Sequence, residues 1–157
     1  MHALRALVVA GGLLVAARPV VAQDAKPAVM AVVNRLFDGM RAGDSATVRS
    51  VFHPRARMLS AGVRNGVPVL GIEESIDDFA KAVGTPHDQV WDERIWGERV
   101  AIDGTVASVW VDYAFYRGGT FSHCGIDHFL LVKGEDGAWR IIELADTRRT
   151  QGCAPAR

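Results

Sequence analysis

The 157 residues of the chain leave room for one domain, because domains cluster near about 100–150 residues, and they exclude two globular units in tandem. Apolar residues make up 49% and charged residues 23%, a mix that can bury a core and excludes a disordered or fibrous chain. Lys+Arg and Asp+Glu both number 18, so the positive field that nucleic-acid binding needs is missing and no nucleic-acid partner is expected.

Residues 1–22 read as a secretory signal. Arg5 supplies the positive n-region, residues 6–17 an apolar run, and Val20-Val21-Ala22 the small residues of a cleavage site. The alternative is a membrane anchor, but a span needs about 20 apolar residues and Arg18-Pro19 interrupts the run. No membrane span is therefore expected once the signal is removed. Its removal takes away Arg5 and Arg18 and no acid, leaving 135 residues with 16 basic and 18 acidic side chains, a net charge of −2. The expected organisation is a signal over 1–22, one domain over 23–153 and a tail over 154–157, in a secreted or periplasmic protein. An oxidising compartment allows Cys124 and Cys153 to pair, closing a loop of about 30 residues; the alternative is two free thiols.

Along residues 27–40 the apolar side chains Val29, Met30, Val32, Val33, Leu36, Phe37 and Met40 recur at steps of three and four, which predicts a first helix. Arg41-Ala42-Gly43 ends it. Asp44 or Ser45 caps a short second helix over 46–52, and Pro54 stops it. A short strand is predicted over 56–59, then turns over 62–71, where Asn65-Gly66 and Pro68 stand. Residues 72–83 predict a third helix, with Ile72, Ile76, Phe79, Ala80 and Val83 on one side.

After Gly84-Thr85-Pro86 the period becomes two. Runs rich in β-branched and aromatic residues predict strands over 90–96, 99–103, 105–116, 121–133 and 138–148, separated at Gly97-Glu98, Asp103-Gly104, Gly118-Gly119 and Asp136-Gly137. Helices followed by an antiparallel meander predict an α+β domain, with helices covering one face of a curved sheet.

The string Gly43-Asp44-Ser45-Ala46-Thr47-Val48-Arg49-Ser50-Val51-Phe52-His53-Pro54 resembles the second-helix entry of the nuclear transport factor 2-like superfamily. Gly71-Ile72-Glu73-Glu74-Ser75-Ile76 with Phe79 is similar to its third helix. Asp136-Gly137-Ala138-Trp139-Arg140-Ile141-Ile142 looks like its closing strand pair, in a form close to the lumazine-binding-like branch. The segments His123-Cys124-Gly125-Ile126-Asp127-His128-Phe129 and Ala145-Asp146-Thr147-Arg148-Arg149, with Cys153, look characteristic of that branch. The resemblance covers residues 27–148 and implies a cone: three N-terminal helices packed on a curved antiparallel sheet. The superfamily includes ketosteroid isomerase, scytalone dehydratase, limonene epoxide hydrolase and SnoaL-like polyketide cyclases. It also includes binding proteins and subunits with no chemistry, so the fold alone does not choose a function.

Hairpin geometry then places side chains. With Glu135-Asp136 as a two-residue turn, His128 faces Glu143, Ile126 faces Ala145 and Cys124 faces Thr147; a tight turn at Gly118-Gly119 sets Val109 against His128 and Tyr113 against Cys124. One sheet face then collects mostly apolar residues, Ile126 and Trp139 among them, with Tyr113, His128 and Glu143 as its polar members. That face is expected to be concave and to line a small-molecule pocket. His128 beside Glu143, with Tyr113 as a donor, is suited to general acid/base work; the alternatives are ligand recognition and a buried pair that only satisfies itself.

His53 is read as a cation at a helix C-terminus or as a residue of the pocket rim, and Trp91 as packing or as part of the ligand site. Arg148-Arg149 either receives an anionic group or is a solvated strand end. His123, Asp127 and Asp146 match no recognised zinc or calcium spacing, so no metal is expected. No phosphate loop or dinucleotide fingerprint is present, and no cofactor is expected. The ketosteroid isomerase set of two aspartates and a tyrosine does not carry over, because Asp112 and Asp127 fall on the outer face. Trp110, Tyr116, Phe129 and Ile142 share that outer face, which suits a homodimer. The sequence thus points to an exported protein holding a small apolar or aromatic molecule in the cone. The alternatives are an isomerase, dehydratase or cyclase using His128, Glu143 and Tyr113, and a homodimeric interaction module without a ligand.

Overall fold

The computed structural model describes residues 25–73 and 75–153; the expected signal and C-terminal tail lie outside the described residues. Helix α1 (Lys26–Ala42) opens with Pro27 in its first turn and buries Val29, Val33, Leu36, Phe37 and Met40 along one stripe. Helix α2 (Ser45–Ser50) is capped by Asp44, whose Oδ1 accepts the N–H groups of Ala46 and Thr47, both at 3.0 Å. It stops two residues earlier than expected, because Phe52 already belongs to a strand.

The largest departures lie next in the chain. Strand β1 (Phe52–Arg64) and strand β2 (Val67–Glu73) form a hairpin about Asn65-Gly66, whose φ angles of 52° and 78° fit a type I′ turn. The expected 56–59 strand is therefore much longer, and most of the 62–71 turn region is strand. Pro68 is tolerated because β2 is an edge strand. Helix α3 (Ile76–Gly84) starts four residues later than expected: residues 71–73 complete β2, and Ser75 caps the helix by accepting the Asp78 N–H at 3.0 Å.

The meander consists of β3 (Trp91–Asp103), β4 (Val106–Arg117), β5 (Thr120–Lys133) and β6 (Trp139–Thr147). Strand β3 joins the two expected strands 90–96 and 99–103 across an irregularity between Trp96 and Arg99. The sheet order is β2-β1-β6-β5-β4-β3, with β1 parallel to β6 and every other pair antiparallel. The helices and the concave sheet face share one core, in which Phe37 meets Phe129 edge to face at 6.0 Å. This is the α+β cone that the resemblance implies.

Cys124 and Cys153 are bonded, and Cys124 also exchanges two backbone hydrogen bonds with Arg149, both at 2.9 Å. Cys153→Ser is expected to lower stability by about 2–4 kcal/mol, read as a drop in the urea midpoint that reductant does not deepen. An unchanged midpoint would mean that backbone pairing alone holds the segment.

Candidate functional site

Strand irregularities decide which side chains meet. Beyond Gly118-Gly119 the strands start as expected, with Arg117 opposite Thr120 and Tyr116 opposite Phe121. A bulge then inserts Ser122, and from there Phe115 faces His123, Tyr113 faces Gly125 and Val109 faces Phe129. A one-residue slip sends every later side chain of a strand to the opposite face. On the other side of β5, Glu135-Asp136-Gly137 makes a three-residue turn with Gly137 at φ 77°, and a second irregularity follows between Leu130 and Leu131. Together they move the pairing by two residues: His128 faces Ala145, and Leu130 rather than His128 faces Glu143.

The concave face keeps Val109, Val111, Tyr113, Phe115, Trp139 and Ile141 in the core. It loses His128, Ile126 and Glu143 to the convex face and gains His123, Asp127, Phe129 and Asp146. His128 Nε2 lies 2.9 Å from Ser108 Oγ and its ring packs beside Trp110. Glu143 accepts from Arg57 Nε at 2.6 Å. Each member of the expected acid/base pair thus has its own partner. Tyr113 is concave, but its hydroxyl donates to the Thr147 carbonyl at 2.9 Å. His53 Nδ1 accepts the Arg55 N–H at 3.1 Å, and Trp139 packs in the core. Trp91 does line the cavity, with its ring stacked on His87 at 4.1 Å. Of the residues expected outside, Phe129 is fully buried and Trp110 is 41% exposed.

Between α1, α3 and the sheet lies a cavity of about 420 Å³. Leu36, Phe37, Met40 and Phe79 wall it from the helices, and Met58, Trp91, Phe115 and Leu144 from the sheet. Into this apolar space come Glu93 from β3, His123 and Asp127 from β5, and Asp146 and Arg148 from the end of the chain. Burial, with the Asp146 charge, pushes the Glu93 carboxyl up to about 7, against the opposing pull of its hydrogen bond with Asp127. Burial and the neighbouring Glu93 raise Asp127 well above the ordinary carboxylate range. The two carboxyls are within hydrogen-bonding reach of each other, an arrangement that holds a proton between them near neutral pH.

Asp146 Oδ2 accepts from Arg148 Nε at 2.7 Å. Burial and the Arg148 charge lower the His123 imidazole, which favours its neutral form. Burial and the nearby carboxylates raise the Tyr113 hydroxyl, which stays protonated as a donor. Asp127 Oδ2 and Asp146 Oδ1 are buried and have no hydrogen-bond partner among the described residues. Sequence reasoning placed Asp127 outside and passed over Glu93. The signal for Glu93 was an acid at an inward position between Trp91 and Ile95 in a strand of period two. Among the described residues, no group of three or more His, Cys, Asp or Glu is arranged to hold a metal ion, and no helix is long and apolar enough to cross a membrane.

Residues 24–144 match the model of the family described as "Putative lumazine-binding". No curated protein sequence matches the chain. Several solved structures share its fold. An NTF2-like protein of unknown function from Methylobacillus flagellatus is 22% identical over 83% of this chain and 96% of that one, with a TM-score of 0.59. A protein of unknown function with a cystatin-like fold from Nostoc punctiforme is 11% identical over 83% and 95%, at 0.64. The beta subunit of a "putative aromatic-ring-hydroxylating dioxygenase" from Novosphingobium aromaticivorans is 14% identical over 85% and 94%, at 0.67.

Proposed function

Because the chain belongs to the lumazine-binding-like family of nuclear transport factor 2-like proteins, we propose that it is an exported small-molecule-binding protein that holds an apolar or aromatic ligand in the cone. The observation that carries this reading is the cavity: about 420 Å³ of mostly apolar, aromatic-walled space on which a few polar groups converge, the make-up of a small-molecule site. The disulfide supports export, since such bonds persist in oxidising compartments.

A thermal-shift panel of hydrophobic and aromatic metabolites, lumazine included, tests it. A ligand at about a hundred times its Kd should stabilise the protein by about 2.7 kcal/mol. Ala82→Trp, which puts an indole into the cavity from α3, should abolish the shift. Shifts that survive Ala82→Trp would place the ligand elsewhere, and a panel without any shift would sink the reading.

One observation favours a second reading, an acid/base enzyme on the same scaffold. Burial holds the Glu93 carboxyl at about 7 and raises the neighbouring Asp127 as well, so Glu93 stands where a general acid or base must work, and the two carboxyls take the place of His128 with Glu143. Its signature is turnover of a panel compound that vanishes in Asp127→Asn while binding persists; turnover that survives the substitution excludes the pair.

A further inference from the structure

Resting on the cone as a ligand cavity, we infer that its ligand is an organic cation, a protonated amine on an aromatic or alicyclic body, with the ammonium received by Asp127 and Asp146. Asp127 is only 3% exposed and lines the cavity beside the Glu93 carboxyl, yet no N–H or hydroxyl among the described residues donates to its Oδ2 or to Asp146 Oδ1. A buried acceptor without a donor is unfavourable, and native proteins rarely leave one so. Asp127 and Asp146 stand directly opposite each other on β5 and β6, so one donor group can serve both free oxygens. An ammonium has three N–H donors and no acceptor, and its bonds to carboxylates are charge-assisted. Phe37, Phe79, Trp91 and Phe115 wall the same space and suit both an apolar body and a cation. An anionic ligand, or any ligand with acceptors alone, would bring no donor to either oxygen.

The charged and titratable groups around Asp127 fix the pH dependence. Glu93 comes from β3, Tyr113 and Arg117 from β4, and His123 from β5 itself. Asp146 and Arg148 close the end of the chain, and α3 brings Asp78, whereas the walls from α1 and β1 carry no charge. The proton held between Glu93 and Asp127 must leave when the ammonium enters. One proton therefore passes to solvent for each ligand bound, and affinity rises with pH.

Isothermal titration of the chain with two matched pairs tests this: tryptamine against its neutral counterpart tryptophol, and phenethylamine against 2-phenylethanol. At pH 8 each amine is expected to bind at least about ten-fold tighter than its alcohol. Amine affinity should fall as the pH is lowered from 8, by up to about ten-fold per pH unit, and heats in two buffers should count about one proton released. Asp127→Asn should erase the preference for the amine and leave alcohol binding in place. Alcohols that bind as tightly as the amines, or amine binding indifferent to pH, would overturn the cation while leaving the cavity reading intact. If none of the four compounds binds, the cavity reading falls and this inference with it.

Discussion

Gly125→Ala is expected to destabilise the protein by about 3 kcal/mol or more, the upper range for a single added methyl group. A Cβ at this position would run into the Thr147 carbonyl oxygen and stand 2.7 Å from a Tyr113 ring carbon. Neither neighbour can yield. Tyr113 is 1% exposed and its hydroxyl is bonded to that same carbonyl. Thr147 Oγ1 accepts the Ile126 N–H at 3.1 Å, and two residues further on Arg149 pairs with Cys124. Urea unfolding of wild type and variant measures the effect; a midpoint within about 0.5 kcal/mol of wild type, the usual spread of harmless surface changes, would show that residues 147–149 swing aside freely. The glycine is thus required for its missing side chain: the Thr147 carbonyl and, beside it, the ring of the facing Tyr113 occupy the space a Cβ would take.

Asp127→Asn should act in the opposite direction, raising stability at pH 8 by on the order of 2–3 kcal/mol and flattening its dependence on pH between about 5 and 8. In the folded chain Glu93 titrates at about 7, against 4.5 ordinarily. Between those values the native state keeps a proton that the unfolded chain has released. Stability therefore falls as pH rises through that window. Asp127 is raised in the same sense and steepens the fall. An amide at 127 is neutral at every pH, so folding no longer has to place a proton there, and it can still donate to Glu93. Unfolding midpoints at pH 5, 6, 7 and 8 check both claims. A wild type whose stability holds flat or climbs over that range would refute the burial of the carboxyl pair. The substitution that strengthens the fold also removes an acceptor from the cavity, the usual tension between stability and a working site.

The three helices and the succession of meander strands could be read from the sequence because each rests on local chemistry. The stripe from Val29 to Met40 has the helical period, and Asp44 stands where a free backbone N–H needs an acceptor. Asn65-Gly66 is also a strong hairpin signal, but residues 72–73, read as the first turn of α3, extend β2 beside β1 instead. That choice is tertiary, settled by which strand lies alongside. The site depended on something weaker still. Whether His128 or Asp127 faces the cavity turns on one extra residue, Ser122, and on where the β5–β6 register shifts. Neither carries a composition of its own. Val109, Val111, Tyr113 and Phe115 nonetheless proved concave, because the bulge displaces β5 relative to β4 and their own alternation is unbroken.

The parallel pairing of β1 with β6 has a consequence for the making of the protein. Strand β1 is the first strand produced and β6 the last, yet they are neighbours in the middle of the sheet. Until residues 139–147 have left the ribosome, the β1–β2 hairpin has an open edge and no strand pairing joins it to the β3–β5 meander. Such pairing between distant segments is slow to form, because a long loop must close before its contacts can help. The sheet can therefore close only once β6 has been made, so its six strands lock together as the last step of synthesis rather than strand by strand.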